Sequence, residues 1–136
     1  MDNAQVLQTL REALSLTDND MAEISRLAGR EPDQGELTLP YFLEGFILYE
    51  RGPRSDGAAV VVQDDQLSNN QILKKLRIAF NLQEIDMLSI FEEGGASLSV
   101  SEFGALFRKE GNKHFRPCSD VLLQNFLAGL TPSLDV

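Results

Sequence analysis

Residues Asn3 to Leu37 align without a gap on Asn69 to Phe103, and twelve of the 35 positions are identical. The matches include Asn3/Asn69, Gln5/Gln71, Leu7/Leu73, Leu10/Leu76, Arg11/Arg77, Asp20/Asp86, Met21/Met87, Ile24/Ile90 and Gly29/Gly95. A unit used twice must bury its apolar face against its own copy or in a shared core, so this internal duplication limits the architecture before any other feature is read. The register then jumps, because Phe42-Leu43-Glu44-Gly45-Phe46 matches Phe126-Leu127-Ala128-Gly129-Leu130. The second copy therefore holds an insert, roughly Gly104 to Ser119, that the first lacks. Between the copies, Gly52-Pro53-Arg54-Ser55-Asp56-Gly57 has the density of turn formers that marks a linker. The expected organisation is a shortened helical repeat over 1–51, a linker over 52–67 and a second helical repeat over 68–136. Val60-Val61-Val62 has no second strand to pair with and is expected to lie as a strap on a helical surface.

Both copies carry the apolar spacing of helices. Val6, Leu7, Leu10, Ala13 and Leu14 recur at three and four residues behind a cap at Asp2 or Asn3. Thr17 with Asp20 forms a short-acid variant of the capping box, opening a helix that carries Met21, Ile24, Leu27 and Ala28 and stops at Gly29. Asp33 with Glu36 repeats the cap signal, and Pro40 is expected to begin a helix running to Arg51. In the second copy, helices are expected near 69–80, 84–93, 100–109 and 120–130. Ser99 and Glu102 form a full box there, and Gly94, Gly95 and Gly111 serve as stops. The expected fold class is all-α, with about seven or eight helices packed as one compact protein.

Composition enters as an exclusion. With 43% hydrophobic and 24% charged residues the chain is globular, and neither disordered nor rod-like. A net charge of −9 would repel a phosphate backbone. That charge is unevenly placed: Met1 to Gln66 carries 5 basic and 13 acidic residues, whereas Leu67 to Val136 carries 7 and 8. The objection to polyanion binding thus falls on the first copy alone. A lone Cys118 excludes an intrachain disulfide framework, and Met1-Asp2-Asn3 begins no basic-then-apolar signal segment. No apolar run approaches the ~20 residues of a membrane span, so a cytoplasmic protein without membrane association is expected.

The stretch Asn70-Gln71-Ile72-Leu73-Lys74-Lys75-Leu76-Arg77-Ile78-Ala79, followed by Ala105 to Lys109, Gly111-Asn112-Lys113, Phe115-Arg116, Cys118, Asp120 and Asn125 to Leu130, resembles the YehS-like bacterial family. The resemblance implies a duplicated helical domain of unknown function in a cytoplasmic protein. It supplies no catalytic residue to carry over. Both copies usually carry the insert in that family, so the first copy here looks shortened between Leu37 and Leu39. Family members also tend to have His where this chain has Asn112. A site formed by the insert would then be present once.

The insert holds the densest group of basic residues: Arg108, Lys109, Lys113, His114 and Arg116, with Phe115 among them. One reading is a solvated turn whose cations offset a helix C-terminus. The other is an anion or acidic-partner site that also draws on free N–H groups beyond Ser119. Lys74, Lys75 and Arg77 extend the candidate binding set. Cys118 and His114 do not make a convincing nucleophile and base, because nothing forces the imidazole onto the thiol. One His and one Cys fall short of a zinc site, and Asp18-Asn19-Asp20 lacks the glycine of a calcium loop, so no metal and no cofactor are expected. The duplicated Arg11/Arg77 and Asp20/Asp86 are expected to form a structural pair joining the first two helices of each copy. Leu10 to Leu37 has helix-turn-helix spacing, yet its helices are too acidic to read DNA.

These readings favour a non-enzymatic helical module that binds another protein. Self-association is a further expectation, with the acidic first copy docking on the basic edge of a neighbour. The alternative is nucleic-acid or anion binding through the second copy, with Phe115 available to stack.

Overall fold

The computed structural model describes residues 2–33, 35–57 and 62–134, the last four as backbone only. Among these residues there are seven helices and no strand. The first region contains α1 (Asn3–Ala13), α2 (Asp18–Leu27) and α3 (Leu39–Arg51). The second contains α4 (Asn69–Ala79), α5 (Glu84–Glu93), α6 (Val100–Leu106) and α7 (Asp120–Leu134).

The helix starts are local chemistry. Asp2 accepts the Gln5 N–H while the Gln5 side chain takes the Asp2 N–H, and Ser68 with Gln71 repeats the arrangement at α4. Each box satisfies two of the donors that a helix start leaves orphaned. Thr17 with Asp20 does the same for α2, and Ser99 with Glu102 for α6. Between α1 and α2 the chain turns through Ser15 at φ 53°, and between α4 and α5 through Asn81 at the same φ. In both turns an N–H closes onto an arginine carbonyl, Leu16 on Arg11 at 3.1 Å and Leu82 on Arg77 at 3.0 Å.

Three expectations are corrected. Asp33 and Glu36 start no helix; α3 begins at Leu39 behind Thr38, with Pro40 in its first turn, where a missing N–H costs nothing. Helix α6 ends at Leu106, not near 109, because the Asn70 amide takes the Leu106 carbonyl and the Arg116 N–H takes the Ala105 carbonyl. With those acceptors claimed, the helix has no ladder left to extend, and Gly111 lies in a later turn at φ 95°. Gly94 and Gly95 do stop α5, Gly94 as a right-handed cap at φ −84° and Gly95 in the left-handed turn. Helix α7 runs past 130 to Leu134. Of the valine strap, Val60 and Val61 lie outside the described residues, and Val62 sits between α3 and α4 beside Glu44 and Lys75.

Packing crosses between the regions. Helix α2 lies on α3 and α5 on α7, but α3 also packs broadly on α4, and α1 reaches α7. Three glycines set the closest crossings, Gly94 against the Asn125 carbonyl among them. A Cβ on Gly45 would overlap the Ile24 carbonyl, and one on Gly129 would overlap the Ile90 carbonyl. Ile24 and Ile90 are one of the identical pairs of the sequence alignment. Among the described residues, Val6, Leu10, Ile24, Phe42 and Phe46 join Ile72, Leu76, Phe91 and Phe126 in one buried cluster. Phe42 stacks on Phe46 at 5.4 Å, Phe80 meets Phe46 edge-on at 5.4 Å, and Phe91 meets Phe126 at 5.1 Å. The molecule is all-α.

Candidate basic cleft

The residues after α6 fold back over the start of α4, and Asn70 holds them there. Its amide donates to the carbonyls of Leu106 and Arg116, and its oxygen accepts the Cys118 N–H, each at 2.9 Å. Asn69 donates to the Cys118 carbonyl and to Asp120, again at 2.9 Å. Short bonds shape the turns between, from Asn112 N–H to Lys109 and from Phe115 N–H to Asn112. The result is an open cleft of about 350 Å³ between α4 and the turn. Lys74, Arg108 and Lys109 line it, with Leu106, Phe107 and Phe115 supplying apolar wall and Glu110 a single carboxylate. Among the described residues none of these three cations is in an ion pair.

The other basic candidates are placed elsewhere. Lys75 points out of the cleft toward α3 and pairs with Glu44. Arg77 lies over the rings of Phe103 and Phe107, at 5.5 and 5.1 Å, while its Nε donates to the Leu82 carbonyl at 3.1 Å. Arg116 pairs with Glu102 at 3.3 Å. Lys113 and His114 are exposed on the turn, away from the cleft lining.

The expected Arg–Asp pairs are not formed. Arg11 reaches Asp18, Arg77 reaches the phenylalanines, and Asp20 and Asp86 accept the N–H groups of Thr17 and Gln83. Capping wins because the carboxylate three residues into a helix is already beside that N–H. Asp20 also accepts the Tyr49 hydroxyl at 3.0 Å. Hydrogen bonds from the Thr17 N–H and hydroxyl, then from Tyr49, hold the Asp20 carboxyl below its ordinary value. The same contact raises the Tyr49 phenol.

The anion reading at α7 also changes. Ser119 accepts the Leu122 N–H at 3.1 Å, and Asp120 sits in the first turn, so that helix start already holds an acceptor and a negative charge. Burial pushes the Cys118 thiol up to about 11, against a smaller opposing pull from Arg116. A thiol held neutral is a poor nucleophile. Among the described residues no three His, Cys, Asp or Glu side chains gather as a metal site. The cleft presents three cations beside an apolar wall.

Missed from sequence were Asn69 and Asn70, which anchor the turn that walls the cleft, and of which Asn70 also lines it. A signal was present, since in the sequence alignment Asn3-Ala4 stands where Asn69-Asn70 does.

Fold and cleft define an all-α protein in which a polar-anchored turn presents a small basic surface. Residues 69–133 match the family model described as "Protein of unknown function (DUF1456)". The chain is 32% identical over 143 residues to "Uncharacterized protein YehS" of Escherichia coli strain K12, covering 92% of this chain and 91% of that protein. The chain belongs to the DUF1456 family. No solved structure matches it at a significant level. No helix among the described residues is long and apolar enough to cross a membrane.

Proposed function

We propose that the protein is a non-enzymatic interaction module of the cytoplasm whose basic cleft takes an acidic segment of a partner protein. The observation that carries this reading is the convergence of Lys74, Arg108 and Lys109 on one open cleft with Leu106, Phe107 and Phe115 beside them. Cations backed by apolar and aromatic wall suit a peptide bearing both carboxylates and large apolar side chains. The triple variant Lys74→Glu, Arg108→Glu, Lys109→Glu tests it, since all three positions are exposed and the fold should survive. Affinity capture with wild type should recover a partner that the variant loses. Identical recovery with both rejects the cleft.

Nucleic-acid binding is the second reading, supported by the half-buried Phe115 next to those cations. It is the weaker one, because Lys75, Arg77 and Arg116 are engaged within the fold and do not extend a cationic track. Gel shift with single- and double-stranded probes at low salt decides it; absence of a shift removes it.

A further inference from the structure

A second groove, of about 420 Å³, lies between α1, the start of α3 and the linker. Ala4, Leu7 and Leu37 form its apolar side, and Glu36, Asp64 and Asp65 its rim. Asp64 is oriented by the Thr38 hydroxyl, which donates to it at 2.6 Å.

The molecule contains its own template for what fills such a groove. The α1 face made by Ala4, Leu7 and Arg11 corresponds in the sequence alignment to the α4 face made by Asn70, Leu73 and Arg77. On α4 that face is covered: Leu106 is bound through its carbonyl to Asn70, Phe103 and Phe107 lie under Arg77, and Leu73 is fully buried. On α1 the same face stands open. Ala4 is exposed, Leu7 is only half-buried, and Arg11 turns away to Asp18. A short helix presenting two large apolar side chains one turn apart, as Phe103 and Leu106 are on α6, has the shape of the filler. The charge of the filler differs, because the three rim carboxylates favour cations.

We propose that the α1 groove docks an amphipathic helix of a partner protein, with two large apolar anchors and a basic flank. This site is separate from the basic cleft and opposite to it in charge, so either reading can fail without the other.

A synthetic peptide of the chain's own residues 99–116 serves as the probe, since it carries Phe103, Leu106 and Phe107 followed by Arg108 and Lys109. Fluorescence anisotropy with the full-length protein should show saturable binding. Ala4→Arg, an exposed change on the groove's apolar side, should weaken it at least tenfold, and the double variant Asp64→Lys, Asp65→Lys should weaken it comparably. The triple basic-cleft variant should bind as wild type does. The proposal is overturned by absence of saturable binding up to about 1 mM, or by binding insensitive to Ala4→Arg, which would mean the peptide is displacing α6. It is also overturned by sedimentation showing a dimer that Ala4→Arg abolishes, because the groove would then belong to a second copy.

Discussion

Leu7 and Leu73 occupy the same turn of equivalent helices, yet Leu73 is fully buried and Leu7 is left half-open. Their helices begin with the same capping box and end in the same turn. The difference arises three residues before each leucine. Asn70 binds two carbonyls and one N–H of the returning chain, whereas Ala4 has no side-chain group to bind any. A shared apolar face does not decide what covers it. Burial of a leucine favours any cover by about 2 kcal/mol, while the polar anchor selects which segment supplies it and in what register.

The largest test of this parallel concerns the helix crossings the regions share. Gly129→Ala should destabilise by about 3 kcal/mol, because the added Cβ meets backbone that cannot rotate aside. Gly45→Ala should cost a similar amount if the two crossings are equivalent, and urea unfolding measures both. Gly94→Ala should be as costly, since its Cβ would overlap the Asn125 carbonyl. The first region already carries Ala28 at the matching position, and Ala28→Gly should lose only about 1 kcal/mol.

Next in size, Asn70→Ala should cost about 2 kcal/mol by stranding its backbone partners, with faster amide exchange at Arg116 and Cys118. The reciprocal Ala4→Asn should leave stability unchanged, as nothing on that side waits for its amide. Unchanged exchange at Cys118 in Asn70→Ala would show that apolar contacts alone hold the turn. A smaller difference is expected for the paired arginines. Arg77→Ala loses its seat over two rings and should cost about 1 kcal/mol, while Arg11→Ala loses only an exposed ion pair and should stay within about 0.5 kcal/mol.

The smallest effect is acid sensitivity, one capping carboxylate in each region. Asp20 is held below its ordinary value by Thr17, and Glu102 by the Ser99 N–H and hydroxyl with Arg116 adding to them. Both values are depressed on folding, so their stabilisation is complete above the unfolded values of 3.8 and 4.5 and fades as pH falls through the folded ones. Carboxyl chemical shifts should titrate below those two values. A midpoint at or above either would remove that cap from the account.

The capping boxes at Thr17 and Ser99 were legible in sequence because both partners lie within one turn. The glycine crossings were half legible: the aligned Gly45 and Gly129 were visible, but not that each rests on an isoleucine carbonyl. The candidate basic site was legible in part. Nine residues were singled out, and only Lys74, Arg108, Lys109 and Phe115 meet in one cleft. The others went astray for tertiary reasons, since Lys75 faces Glu44 of α3 and Arg77 found two rings that spacing along the chain does not reveal. The Arg–Asp pairing failed likewise, because Asp18 and the helix-start N–H groups were nearer competitors.

The crossed packing of α1 on α7 and α3 on α4 has a kinetic consequence. Contacts between the first and last helices must close a loop of more than a hundred residues, and such distant closures slow folding relative to a bundle of sequential neighbours. During synthesis α1, α2 and α3 can pack on one another early, but the face of α3 that meets α4 and the face of α1 that meets α7 stay wet until those helices have been made. Apolar surface on the nascent first region is thus exposed longest at the helix that emerges earliest.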